Sequence, residues 1–231
     1  MKQLLIFLLF FLSFSLFAQL PWDYPIKPGS NQWAEFKTGQ QMVDACQIPK
    51  DVLASLSTKD LAEICLNFPL YINFLLVNNE RIEIDNMINY FNGLKELSLR
   101  SDGARKLVSI YKNFPILTQI PNSGTIDHEI PYRIIFLELL LCNDLFLNQL
   151  NNNELAELGK IALIKYENKT KNLSVYSLFN VKRTLLLGAV IIDKLNGLTE
   201  NDDDIKHYII NYPSVNPVLL SKISLLIIKN L

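Results

Sequence analysis

The stretch Leu61-Ala62-Glu63-Ile64-Cys65-Leu66-Asn67-Phe68-Pro69 decides the fold class. Its apolar residues at 61, 64, 65 and 68 follow the i, i+3, i+4, i+7 spacing that lines one face of an α-helix. Pro69 then closes the helix, because a proline disfavours helical backbone in the residue before it. The same pattern returns in Leu107-Val-Ser-Ile110-Tyr111-Lys-Asn113-Phe114-Pro115 and in Ile205-Lys-His-Tyr208-Ile209-Ile-Asn211-Tyr212-Pro213. The first two copies start 46 residues apart, and the third follows after 98, close to twice that period. Such a period is in the range of HEAT and armadillo units. The unit expected near 155–165 is weaker, because Leu155 to Asn168 is amphipathic but ends without proline. Two architectures therefore stand side by side, an irregular multi-helix domain and a HEAT/armadillo-like α-α superhelix. Both are all-α.

Outward from these copies the helical pattern continues. It predicts helices near 33–46, 50–56, 58–68, 70–77, 82–92, 93–100, 102–114, 130–149, 153–168, 175–196, 202–212 and 216–229. No sustained period-two alternation marks a strand, and the Asn-Gly pairs at 92–93 and 196–197 follow helical segments, where glycine suits a C-terminal cap. Residues 33–231 thus read as one all-helical domain. The one long non-helical connection runs from Pro115 to Glu129, and 115–129 is the place for a hinge or a functional loop. Residues 19–32, with Pro21, Pro25, Pro28 and Gly29, read as an extended arm whose Trp22 and Tyr24 need apolar cover.

The N-terminus carries Lys2, an apolar run from Leu4 to Leu12, and Ala18 before Gln19. This is the signal-peptide pattern, with cleavage between Ala18 and Gln19 and residues 1–18 removed. An uncleaved anchor is the competing reading, since Leu16 stands where a small residue is usual. No cysteine near the cut supports a lipid anchor. The mature chain is then secreted or periplasmic. It has no membrane span, because Ile130 to Leu141, interrupted by Arg133 and Glu138, and Leu185 to Ile192 are too short. Without residues 1–18 the chain keeps 21 basic and 23 acidic residues, a net charge of −2. No basic face is clustered, so nucleic acid is excluded as a partner.

An oxidising compartment permits disulfides. Cys46 and Cys65 fall in neighbouring predicted helices and could bridge; alternatively these two and Cys142 are small buried hydrophobes.

Catalytic constellations are absent. Asp127-His128-Glu129 is the most reactive-looking cluster, but a zincin helix needs a second histidine four residues on, and Tyr132 stands there. Acidic groups at the start of a helix explain it as capping. His207 lies on a helix surface. Asp202-Asp203-Asp204 fails as a calcium loop, because the sixth and twelfth positions are His207 and Pro213 rather than Gly and Glu; it reads as a helix N-terminus. There is no nucleophile elbow, and the eight glycines form no phosphate loop. No catalytic, metal or cofactor-binding residue is assigned, and no cofactor is expected.

Pro25 to Trp33, Met42-Val-Asp-Ala-Cys46-Gln47-Ile48-Pro49, Leu56 to Leu61, Cys65-Leu-Asn-Phe-Pro-Leu70 and Tyr90-Phe-Asn-Gly-Leu-Lys-Glu-Leu97 together resemble a group of uncharacterised proteins secreted by Bacteroidota-type bacteria. The resemblance covers about residues 25–115. It implies a secreted bacterial protein and carries no activity or site residue with it. The leading functional expectation is a secreted or periplasmic binding or scaffold protein whose partner is a protein, peptide or glycan. The alternative is an extracytoplasmic hydrolase that uses carboxylates, with His128.

Overall fold

The structure, a computed structural model, describes residues 20–117, 129–196, 198–211 and 217–230. Among them every regular element is a helix, and no strand occurs. The α-helices are α1 (Asn31–Glu35), α2 (Gly39–Ala45), α3 (Lys50–Ser55), α4 (Thr58–Leu66), α5 (Glu80–Tyr90), α6 (Asn92–Leu99), α7 (Gly103–Asn113), α8 (Glu129–Leu141), α9 (Asp144–Leu147), α10 (Asn152–Lys171), α11 (Leu178–Asn196), α12 (Asp203–Asn211) and α13 (Pro217–Asn230). Short 3-10 helices cover Tyr71–Leu76 and Glu200–Asp202.

The axis of the molecule is α8. From Ile134 to Cys142 every residue is buried, as a helix apolar on all sides must be. It packs on α4, α5, α7 and the Tyr71–Leu76 helix on one side and on α11 on the other. The α10–α11 hairpin is the largest helix pair, and α11 also carries α12 and α13. All three copies of the Pro-terminated pattern bury their apolar face: Leu61, Ile64 and Cys65 in α4, Leu107 and Tyr111 in α7, and Ile205, Tyr208 and Ile209 in α12. The first two copies lie on helices packed against each other, whereas α12 packs on α11 and α13.

Three predicted helices differ from the structure, each for a local reason. The stretch 33–46 is two helices, because Thr38 and Gln41 form a capping box that starts α2 afresh. The stretch 130–149 breaks after Cys142, where the Asn143 side chain accepts from Leu145 N (2.9 Å) and caps α9. The stretch 70–77 winds as a 3-10 helix. The arm is irregular to Ser30, whose hydroxyl accepts from Trp33 N (3.2 Å), so the first helix begins two residues earlier than the pattern suggested. Gly29, at φ 86°, makes the left-handed turn into it.

The arm lies on the body. Tyr24 is buried, donates its hydroxyl to Ile64 O (2.9 Å), and meets Trp22 edge-on at 4.7 Å. Beneath it Phe68 and Phe91 stack at 4.3 Å. Residues 47–48 and 90–92 also meet here. Asn92 donates to Ile48 O (2.7 Å) and accepts from Ile48 N (3.0 Å), while Gln47 accepts from Asn92 N (3.0 Å) and donates to Tyr90 O (3.0 Å). Four backbone groups at two helix ends are satisfied by two amide side chains.

Candidate functional site

Besides the buried Arg183–Glu80 ion pair, two groups of polar side chains interrupt the apolar body, and they have different characters. The first is sealed. Glu138 on α8 and Lys169 on α10 are both fully buried. One Glu138 oxygen accepts from Lys169 Nζ (2.9 Å), Tyr111 Oη (2.8 Å) and Thr184 Oγ1 (2.9 Å); the other accepts from Lys169 Nζ at 3.0 Å. Lys169 Nζ also donates to Thr184 Oγ1 (2.9 Å). Burial holds the Lys169 ammonium below its ordinary pKa, while Glu138 opposes that shift. One turn away Lys165 donates to Phe114 O (2.9 Å) and lies 5.0 Å over the Tyr111 ring. Burial brings its pKa down to about 8. The Tyr176 hydroxyl accepts from Leu117 N (2.8 Å), so the entry to the 115–129 connection is tied to α10 and α11. Both side chains are sealed from solvent, and the hydrogen bonds described are all internal. The cluster is structural.

The second group is open. A cleft of about 520 Å³ separates the arm from α4 and the start of α8. Its lining includes the half-buried Leu20, Pro69 and Tyr71 and the buried Tyr24, Leu66 and Phe68. Lys27 and Asp23 stand on the arm side and pair with each other at 2.5 Å, which holds the Asp23 carboxyl below its ordinary range. Arg133 stands opposite. One of its nitrogens donates to Asn67 Oδ1 (2.5 Å), and its buried Nε has no hydrogen-bond partner. This size and apolar lining are those of small-ligand sites.

The sequence-predicted residues fall elsewhere. Ala18, Gln19, Asp127 and His128 lie outside the described residues. Cys46, Cys65 and Cys142 are free, buried thiols, so the Cys46–Cys65 bridge is not formed in this structure. Burial raises all three, Cys46 and Cys142 to about 12. The acidic run works as a helix start: Asp202 accepts from Thr199 N (3.1 Å), and Lys222 of α13 pairs with Asp204 at 2.6 Å. His207 is exposed. Among the described residues no group of three His, Cys, Asp or Glu side chains could hold a metal ion, and no helix is long and apolar enough to cross a membrane. Arg133 and Glu138 were visible in the sequence only as charges interrupting an apolar helix. That is the signal by which both polar groups could have been found. No family model, curated protein or solved structure matches the chain.

Proposed function

We propose that this protein is a binding module that works outside the cytoplasm, secreted or periplasmic after cleavage at Ala18–Gln19, and that a peptide segment seats in the cleft between the arm and α4/α8. The observation that carries the reading is the cleft itself, about 520 Å³, in which the apolar Leu20, Pro69 and Tyr71 stand beside the polar Asp23, Lys27, Asn67 and Arg133. A binding site needs that combination of burial area and a few orienting groups. Two N-terminal tryptophans, Trp22 beside Tyr24 and Trp33 on α1, provide a built-in reporter.

A library of N-acetylated hexapeptides, titrated against the protein and read by tryptophan emission and calorimetry, tests it. Binders are expected, and Pro69→Trp, which fills the cleft, should remove them. A library without binders, or binders indifferent to Pro69→Trp, would sink the reading. Export is tested separately. N-terminal sequencing of the protein recovered outside the cytoplasm should begin at Gln19, and an intact Met1 would overturn the location.

A further inference from the structure

We infer that the ligand of this cleft presents one carboxylate next to an apolar group, as a peptide C-terminus does, and that Arg133 is the residue that reads it; the inference rests on the cleft being the binding site. The argument begins with charge. Lys27, Asp23 and Arg133 are the ionisable side chains with formal charge along the cleft wall, and Lys27 and Asp23 neutralise each other at 2.5 Å. One positive charge is left, and it belongs to Arg133.

That guanidinium is under-used. It carries five N–H donors in a planar fork that matches a carboxylate. A single acceptor, Asn67 Oδ1, is bonded to it, and no carboxylate among the described residues pairs with it. Its Nε is buried without a partner, and the donors within reach of a ligand are those of the terminal nitrogens, one of which Asn67 holds. Asn67 holds the fork in place and is itself held, because its Nδ2 donates to Glu63 O (2.9 Å).

The remaining surface selects the class of anion. A phosphate dianion calls for more donors and more than one compensating charge, and the cleft offers one cation. The apolar surface within a ligand's reach is that of the half-buried Leu20, Pro69 and Tyr71, because Tyr24, Leu66 and Phe68 are buried and the Tyr24 hydroxyl is committed to Ile64 O. A monocarboxylate with an aromatic or aliphatic body satisfies both the fork and these half-buried side chains.

The test uses N-acetyl-L-phenylalanine, its amide, and inorganic phosphate, titrated calorimetrically into the full mature chain. The acid should bind at least about tenfold more tightly than the amide, the size of one charge-assisted hydrogen-bonding contact. Arg133→Gln should bring acid and amide to equal affinity, and Arg133→Lys should keep part of the preference. Circular dichroism confirms that both variants remain folded. Equal binding of acid and amide to the wild type, still lost in Pro69→Trp, overturns the carboxylate and leaves the cleft. Phosphate displacing the acid at matching concentration also overturns it. Absence of any binding overturns both.

Discussion

Glu138 and Lys169 form a fully buried charge pair, and their energetics follow from having no access to water. A buried ion pair gains little net stability, but removing one partner strands the other charge. Lys169→Met is therefore expected to cost about 3–5 kcal/mol in urea denaturation. The double variant Glu138→Leu/Lys169→Met should recover most of that loss. A double variant as unstable as the single would mean that the hydrogen bonds of Tyr111 and Thr184, rather than the stranded charge, dominate. Nearby, Lys165 gives a pH signature. Its folded pKa of about 8 lies below the unfolded value of about 10.4, so between these the unfolded chain binds more protons, and this group's contribution to stability rises with pH. The buried thiols act oppositely. Cys46 and Cys142, near 12 when folded and about 8.5 when unfolded, hold their protons in the native state and lose stability as pH rises above about 8.5. Between pH 8 and pH 10 the two contributions oppose each other, and Lys165→Met should make the urea midpoint fall more, or rise less, over that range than in the wild type. A thiol reagent at pH 8 should leave all three cysteines untouched until the chain is unfolded.

At the scale of the element, hydrophobic spacing located the helices but not their ends. The apolar pattern runs through Trp33–Cys46 and through Ile130–Gln149 without a break, whereas the backbone stops where a side chain offers a better partner than the next turn. Thr38 with Gln41 does so at α2, and Asn143 does so at α9. Both signals are in the sequence, and the Thr-Gly-Gln-Gln run at 38–41 is a legible capping box. The 3-10 winding at Tyr71–Leu76 has no comparable local mark. Close helix approaches were equally silent, because they depend on the partner. A Cβ at Gly188 of α11 would lie 2.2 Å from Ile227 Cδ1 of α13, the far end of a flexible side chain. A Cβ at Gly103 would lie 2.2 Å from Leu97 O, which is backbone and cannot turn aside. Gly103→Ala should therefore cost about 3 kcal/mol, the upper part of the overpacking range. Gly188→Ala should cost about 1 kcal/mol, as helix propensity offsets part of the clash. Thermal and urea unfolding would check the order; equal losses would show that the α6–α7 turn yields as readily as a side chain.

Over the whole molecule, the sequence made the fold class legible but could not place one half against the other. The N-terminal and C-terminal helices are joined by polar contacts between residues far apart in the chain. Arg81 donates to Ile209 O (2.7 Å), Asn143 donates to Asp85 (2.6 Å), and Arg183 pairs with Glu80. The candidate cleft is of the same kind, since it forms only when the arm, α4 and α8 converge, and no local pattern announces Arg133 facing Lys27. Because α8 is buried between both halves, neither can unfold and leave the other with a complete core. Unfolding should therefore be a single cooperative transition. The two tryptophans make this testable, since Trp22 and Trp33 report the arm and α1 while far-ultraviolet dichroism reports helices along the whole chain. Their urea midpoints should coincide in the wild type; a fluorescence change that precedes the loss of helix would show the arm to be a separate unit. Tyr24→Ala removes the buried ring and its bond to Ile64 O that fasten the arm. It should cost about 3–5 kcal/mol, as other large aromatic truncations do. It should also split the transitions, with tryptophan emission shifting at lower urea than the helices melt, because what remains of the arm then has only half-buried contacts to hold it on the body.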